Sequence, residues 1–335
     1  MLATRALGFN LVFIYHCGFL SFGFMGVDIF FVISGYVIFK SLQKVSSTCV
    51  WFDTIFSFTY NRLFKIYPAL IFVIGSVLAL SYLVIPAGDR IEVYKFGLTS
   101  ILGISNIYQI FAQNYFSPAS VFNPFTHLWS VSMELQFYLF ALFVFLFVKF
   151  SKLFYAILIF FFFASLFLFI FGDRDVLYLD PRARIWAFIL GMLIAAFALD
   201  VRKKVIVNFI FFVLVSLIAY YFYQKSGTEW RLVSIFGVTI AYAFVACDLV
   251  FGRKLPERLY FWVSIQGRLS YSLYLVHFPI ISFFYWIWGP LEIEHVLILY
   301  LGSHLTAVAL FQVIERPLNF KVRLTARLPR TYVPL

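Results

Sequence analysis

Charged residues are scarce in this sequence. Asp, Glu, Lys and Arg make up 12% of the 335 residues, about half the share that soluble domains usually carry. Hydrophobic residues make up 63%, and 47 residues are phenylalanine, more apolar surface than the core of one soluble domain can bury. This composition excludes a soluble globular protein and favours a chain surrounded by a lipid bilayer, in which apolar runs of about 20 residues are expected.

Cysteine is also sparse. Cys17, Cys49 and Cys247 lie far apart with no C-x-x-C spacing, so they suggest neither a metal site nor a disulfide framework. A cleavable signal peptide is not evident either, because the first apolar stretch has no small-residue cleavage site. We find no internal repeat, low-complexity tract or linker. The sequence therefore predicts one integral-membrane domain over 1–335, with no C-terminal hydrolase-like extension.

Apolar runs recur along the whole chain and predict an all-α, polytopic transmembrane helical bundle. We expect about ten spans, at 4–21, 24–43, 66–85, 130–148, 153–171, 183–199, 205–223, 231–250, 269–288 and 295–314. The apolar segment 96–112 is interrupted by Gly, Ser, Asn and Gln. It is predicted to be a partly re-entrant or interfacial part of an outer segment, 86–129.

The basic residues predict the orientation, because short cytoplasmic loops carry the excess of Lys and Arg. With both termini cytoplasmic, all but seven of the 26 basic residues lie inside; the seven are Arg90, Lys95, Arg174, Arg182, Arg184, Lys225 and Arg231. Topology thus explains most of the +11 net charge, and no nucleic-acid partner is predicted. Two basic clusters, Arg62 with Lys65 and the one from Arg253 to Arg268, remain candidates for binding a cytoplasmic anion.

The first predicted span carries Arg5 and His16 in otherwise apolar sequence. Eleven positions make about 20° more than three turns, so both side chains lie on one helix face, about 16–17 Å apart along the axis. Arg5 would lie near the cytoplasmic surface and His16 near the middle of the membrane. Ionisable residues in spans are functional by default, although a snorkelling arginine and a packing histidine would give the same pattern.

Three further segments place polar groups in apolar sequence. Residues 127–139 include Ser132 and Glu134, the one acid that we place well inside a span. A carboxylate there needs a partner or a proton, and we predict His16 as the partner.

In 26–36, Ser34 and Gly35 permit close helix packing. In 267–280, Arg268 marks the cytoplasmic end of a span; His277 falls on the opposite helix face, where packing is its expected role.

Six segments in order resemble the membrane-bound acyltransferase-3 family, the O-acyltransferases of bacterial surface polysaccharides. They are the Arg5/His16 signature, GVDIFFVISGY at 26–36, RLFKIYPAL at 62–70, HLWSVSMELQFYLF at 127–140, GRLSYSLYLVHFP at 267–279 and IERP at 314–317. The resemblance implies transfer of an acyl group, usually acetyl, from cytoplasmic acyl-CoA to a sugar hydroxyl, in a bacterial inner membrane. It also implies that Arg5 and His16 are required for activity. The acceptor would be a cell-surface or lipid-linked glycan, and no permanently bound cofactor or metal is expected.

The chemistry of the residues suggests their roles. His16 could act as the general base on the acceptor hydroxyl or carry the acyl group itself, and Glu134 would orient it. Arg5, or Arg62 and Lys65, could hold the phosphates of acyl-CoA. Hydrogen bonds to the substrate could come from Ser34 or Ser132, and Arg268 is a further binding candidate. A transporter or flippase of a glycan or acyl carrier is the alternative class, since buried polar residues also line transport pathways.

Overall fold

The computed structural model describes residues 1–46, 51–112, 115–149, 151–172, 175–197, 229–251 and 257–318, which form helices with no strand among them. The α-helices are α1 Leu2–His16, α2 Met25–Ser46, α3 Trp51–Val84, α4 Ala87–Ile101, α5 Ser105–Ala112, α6 Trp129–Val148, α7 Lys152–Phe171, α8 Pro181–Ala196, α9 Glu229–Phe251, α10 Glu257–Trp288 and α11 Ile293–Leu310. Short 3-10 turns lie at Pro118–Phe122, Thr126–Leu128 and Asp175–Tyr178, and a π-helical turn at Phe311–Glu315 continues α11. The predicted all-α fold is confirmed.

Six helices in these ranges are long and apolar enough to cross a membrane: α2, α3, α6, α7, α10 and α11. They coincide with six of the predicted spans. The helices α1 and α8 are shorter, with 15 and 16 residues, and α9 covers the predicted span at 231–250. The predicted span 205–223 lies outside the described residues. A count of ten spans and the cytoplasmic termini therefore stay predictions.

Helix α1 ends earlier than the predicted span, and the end of this helix places His16. Gly18 has a φ of 85°, and its N–H bonds to the carbonyl of Tyr15 at 2.9 Å, while the N–H of Phe19 bonds to that of Ile14 at 3.2 Å. This pair of bonds is a Schellman C-cap, for which glycine is favoured because it adopts positive φ without strain. The expectation of a helix running to residue 21 was wrong, and His16 occupies the last turn of α1.

The segment 96–112 is broken, as its polar residues predict, into α4 and α5 around a turn at Gly103. Neither helix is long enough to cross a bilayer by itself. The side chain of Gln136 in α6 holds the turn by donating to the carbonyl of Gly103 and to Oδ1 of Asn106, both at 2.8 Å. Gln136, one of the polar residues of α6, therefore serves to pack this segment against α6.

Helix α2 lies at the centre of the bundle and contacts α1, α3, α6, α8 and α9. Its closest neighbour is α8. A Cβ atom on Gly35 would overlap the carbonyl oxygen of Phe188, and one on Gly191 would overlap that of Val32. The two glycines thus allow backbone contact between the helices, as predicted from the Ser34–Gly35 interruption. By contrast, the most hydrophobic span, α7, has most of its surface exposed, which suits a helix that faces lipid.

Candidate active site

A cavity of about 80 Å³ opens between α1, α2, α3, α6 and α10. Five of the predicted site residues line it: Arg5, Ser34, Arg62, Lys65 and Glu134. They come from four helices and are separated by up to 129 positions in the chain, so the fold brings together what the sequence keeps apart. The cavity has room for several water molecules, and hence for a small polar group of a ligand.

Three cations and one carboxylate give this cavity a positive balance. Lys65 is exposed at the edge of the bundle. The guanidinium of Arg62 donates to the carbonyl of Val37 at 3.3 Å and lies 5.9 Å from the ring centre of Phe58 and 5.7 Å from that of Tyr138. Such a setting fixes the orientation of Arg62 and favours an anionic ligand, because guanidinium and ammonium groups bind phosphate through charge-assisted hydrogen bonds.

Glu134 is bound inside the cavity, but its partner is not the predicted one. Its Oε1 accepts hydrogen bonds from the hydroxyls of Ser34 and Tyr138, whereas the hydrogen bonds of His16 go elsewhere. The predicted pairing of Glu134 with His16 was wrong. The physical reason is position: Glu134 faces the middle of α2, while His16 lies at the end of α1.

Ser132 and Arg268 lie away from the cavity, contrary to prediction. The Oγ of Ser132 lies 2.8 Å from that of Ser105 and accepts from its N–H at 3.2 Å, which ties α6 to α5. Residues 130, 134 and 138 share one face of α6, and residue 132 is 200° away from residue 130. Arg268 is exposed and donates to Ser264 within its own helix at 3.4 Å.

His16 belongs to a cluster of histidine and aromatic rings beside the cavity. Its Nδ1 is 2.9 Å from Nε2 of His277, and its Nε2 is 3.3 Å from the hydroxyl of Tyr115. The ring of Phe278 packs edge-on against it at 4.5 Å. His127 completes the cluster, with its ring centre 5.3 Å from that of His277. Both His127 and His277 are fully buried, whereas His16 is partly exposed.

A hydrogen-bonded pair separates the cavity from this cluster. Tyr274 and Ser130 line the cavity, and their hydroxyl oxygens are 2.6 Å apart. The ring of Tyr274 lies 5.4 Å from His127 and 5.5 Å from His277, and its hydroxyl donates to the carbonyl of His127 at 3.1 Å. One side of Tyr274 therefore faces the cationic cavity and the other faces the histidines.

Sequence reasoning missed four groups of this site: His277 as a partner of His16, Tyr115, Tyr138 and the Tyr274–Ser130 pair. The helical phase of His277 relates it only to residues of its own helix, such as Arg268, and 261 positions separate it from His16. One signal was available, because Tyr274 and His277 are three residues apart and so share a helix face. Tyr115 follows no periodic pattern, and nothing in the sequence marks it.

Long apolar helices around an internal cluster of ionisable side chains define an integral, multi-pass membrane protein with a polar site inside the bundle. The chain belongs to the acyltransferase-3 family, whose model, described as an acyltransferase domain, matches residues 3–313. This match confirms the resemblance found in the six motifs, and acyltransferase is the class of enzyme that it supports.

Curated relatives agree with the family. The chain is 32% identical to the O-acetyltransferase OatA of Staphylococcus aureus over 342 residues, which cover 92% of this chain and 55% of the relative. It is 30% identical over 289 residues to BcsY of Komagataeibacter xylinus, described as a membrane-bound transacylase, with 82% of this chain and 70% of the relative covered. The chain spans about half the length of OatA. No solved structure matches it.

Proposed function

We propose that the protein is a membrane O-acyltransferase that moves an acyl group, most simply acetyl, from cytoplasmic acyl-CoA to a hydroxyl of a cell-surface or lipid-linked glycan. His16 acts as the general base. The observation that carries the proposal is that the two ends of α1 lie in two different polar sites, one cationic and one formed by histidines. Arg5 lines a cationic cavity, and His16 lies eleven residues further along, in the histidine cluster. The choice of glycan and CoA rests on the resemblance of the six motifs, and the inner membrane is the proposed location.

The cationic cavity suits the donor end of such a reaction. Arg5, Arg62 and Lys65 would bind a phosphate of acyl-CoA, and Glu134, held by two hydroxyls, would offset part of the repulsion among these cations. A volume of about 80 Å³ cannot enclose a nucleotide, so the adenine end would lie outside the bundle. No cofactor beyond the donor is needed, because thioester transfer to an alcohol balances by itself.

The histidine cluster suits the chemical step. The imidazole of His16 removes the proton of the acceptor hydroxyl as its oxygen attacks the thioester carbonyl. Collapse of the tetrahedral intermediate breaks the carbon–sulfur bond, and the leaving CoA thiolate takes from His16 the proton that the acceptor hydroxyl gave up. The products are an ester and free CoA thiol. For this to happen the acyl group must pass Tyr274 and Ser130, which lie between the two places.

The test is turnover of acetyl-CoA by the purified protein in lipid vesicles, read as release of free thiol with and without a cell-surface glycan fraction from the expression host. The variants are His16→Ala and, as a matched control, His304→Ala. His304 is also a partly buried histidine on a bundle helix, but its hydrogen-bond partners are Gln266 and the Tyr300 carbonyl.

Glycan-stimulated thiol release that disappears in His16→Ala and survives in His304→Ala is the expected result. Equal loss in both variants would point to general damage of the bundle and would argue against a base at His16. A folded wild type that releases no thiol from any acyl-CoA, with or without glycan, would overturn the acyltransferase proposal and favour transport of a glycan or acyl carrier.

A further inference from the structure

The ring of His277 is fixed by its own helix. Its Nδ1 lies 2.9 Å from the carbonyl oxygen of Tyr274 and 3.1 Å from that of Leu273. A carbonyl oxygen can only accept, so Nδ1 must carry the proton. A neutral imidazole has one N–H, and the other nitrogen is then an acceptor. The backbone of α10 thus selects a single tautomer of His277, with a lone pair on Nε2.

That lone pair points at His16. The Nε2 of His277 is 2.9 Å from Nδ1 of His16, and two acceptors cannot form this bond. The proton therefore lies on Nδ1 of His16, and the lone pair of His16 is on Nε2. Among the described residues, no carboxylate hydrogen-bonds to either ring, so the neighbours that set the tautomer are a histidine and, through it, two backbone carbonyls.

The second nitrogen of His16 agrees with this assignment. Its Nε2 is 3.3 Å from the hydroxyl of Tyr115. Burial raises the pKa of Tyr115 well above its ordinary value, so the phenol keeps its proton and can donate. Nε2 of His16 is the acceptor that it meets. An incoming hydroxyl would take the place of this phenol and give its proton to the same nitrogen.

Packing keeps the two imidazoles in register. The rings of Phe9 and Phe13 lie 5.6 and 6.4 Å from that of His277, and the His16 and His277 rings are 5.2 Å apart, tilted by 28°. His277 itself is fully buried. It cannot touch a substrate in this arrangement and acts only through His16.

We infer that His277 is the positioning residue of the reaction: it makes Nε2 of His16 the nitrogen that accepts the proton of the acceptor hydroxyl. When Nε2 takes up that proton, the Nδ1–H of the resulting imidazolium still donates to His277, which spreads the new charge. His277 thus does what a carboxylate does for the histidine of a serine-hydrolase triad, the role that the sequence had suggested for Glu134. The catalytic role inferred for His277 rests on the proposed function, whereas the tautomer assignment rests on the hydrogen-bond geometry alone.

The first experiment measures the tautomer directly. The protein is labelled with 15N at its five histidines, and the 15N spectrum in lipid bilayers near neutral pH is assigned by single His→Gln variants. The expected result for His16 is a protonated Nδ1 and an unprotonated Nε2, with a coupling across the bond to Nε2 of His277. A protonated Nε2 and a bare Nδ1 would overturn the inference whatever the activity.

The second experiment separates positioning from packing. His277→Gln keeps an acceptor oxygen near the place of Nε2, whereas His277→Leu keeps the bulk and removes the acceptor. We expect kcat for acetyl-CoA turnover to fall about 100-fold or more in His277→Leu, within the range that general-base catalysis supplies, with KM for acetyl-CoA unchanged. His277→Gln should recover at least about tenfold of that loss. The matched control is His304→Leu, because its ring packs on Phe9 at 5.8 Å much as that of His277 does but does not reach His16.

The outcomes are distinct from those of the functional test. Equal turnover in His277→Leu and wild type would overturn the positioning role and leave the acyltransferase intact. Equal loss in His277→Leu and His277→Gln, with both folded, would also overturn it in favour of a packing role. A wild type without thiol release would remove the proposed function, while the 15N measurement would still decide the tautomer.

Discussion

Arg184 donates to Asp28 at 2.5 Å, and neither side chain has any exposed surface. The pair joins α8 to α2, and the same guanidinium donates to Ser234 of α9 at 2.9 Å. It also lies 4.7 Å from the ring centre of Tyr178. Three helices thus meet at one buried ion pair, which lies apart from the cationic cavity and carries no role in the proposed reaction.

We expect Arg184→Ala to lower the free energy of unfolding by about 3–5 kcal/mol, because removal of one partner leaves an uncompensated buried charge. The comparison is Arg182→Ala, whose side chain is 80% exposed although its partner Asp180 is nearly buried. Because water can replace the exposed guanidinium, we expect a smaller loss there. Thermal unfolding in detergent micelles measures both. A double replacement, Asp28→Leu with Arg184→Met, should recover part of the loss; a double variant as unstable as the single one would contradict this explanation.

The close contact of α2 with α8 predicts a second effect on stability. Gly35→Ala forces a methyl group against the carbonyl of Phe188, so the helices must separate, and we expect a loss of about 1–3 kcal/mol or more. Gly75→Ala is the matched control, since Gly75 is also inside a long helix and has nothing within 4 Å of the added Cβ. Thermal unfolding of both variants under the same conditions measures the difference. Equal stability of the two would show that the bundle adjusts without strain.

The cationic cavity predicts a change in donor binding. We expect Arg5→Gln to raise KM for acetyl-CoA about tenfold, since a charge-assisted hydrogen bond contributes about 1.5–3 kcal/mol. Added salt should raise KM of the wild type more than that of the variant. Lys95→Ala removes one positive charge from α4, where Lys95 pairs with Glu92 at 3.4 Å, and should leave KM unchanged. A rise in both variants would mean that net charge, rather than the cavity, attracts the donor.

Replacement of Ser34 and replacement of Ser132 should have different effects on turnover and stability. Ser34 donates to Glu134 in the cavity, whereas Ser132 bonds to Ser105 in the α5–α6 contact. We expect Ser34→Ala to lower kcat/KM for acetyl-CoA about tenfold, because the carboxylate loses one of its two donors. Ser132→Ala should lower stability by about 1 kcal/mol and leave turnover within about twofold. Thiol release and thermal unfolding of both variants decide this, and the reverse pattern would place the site on the other face of α6.

A hydrogen bond between α4 and α5 predicts an effect of pH on stability. The hydroxyl of Tyr108 donates to Glu92 at 2.7 Å, and burial, then this carboxylate, raises the pKa of Tyr108 to about 12. The folded state therefore holds the phenolic proton more tightly than the unfolded state, whose pKa is about 10. Stability from this contact is complete below pH 10 and is lost as the pH rises towards 12. Thermal unfolding of wild type and Tyr108→Phe should differ below pH 10 and converge above it; a constant difference would contradict the assignment.

Much of this arrangement was readable from the sequence, because hydrophobic runs and helical phase are local properties. They placed the six long helices and the broken segment 96–112. The family motifs and the chemistry of their side chains added five residues that line one cavity. The Arg5 and His16 positions could be ordered along α1 for the same reason. The end of that helix was also encoded, since Gly18 is the residue that a Schellman cap prefers, but the apolar run hid it.

The partners of the polar groups were not readable. Whether Glu134 meets His16 or Ser34 depends on how far α1, α2 and α6 are shifted along their axes and rotated relative to one another. A single sequence does not determine either quantity. The phase of His277 relative to Arg268 on its own helix predicts a packing role and carries no information about α1. Its contact with His16 crosses the whole chain, from the first helix to the tenth described.

The buried ion pair also has a consequence for biogenesis. Asp28 enters the membrane with α2, and Arg184 follows 156 residues later. At the rate of about 5–20 residues per second at which chains are synthesised, the carboxylate waits about 8–30 seconds before Arg184 is made. Asp28 lies in the first turn of α2, where a lone carboxylate costs less than the roughly 2.5–3.5 kcal/mol expected at the centre of a membrane helix. Until α8 is made, the free N–H groups of this first turn, water or a proton must satisfy the carboxylate, and only then can the ion pair with Arg184 form.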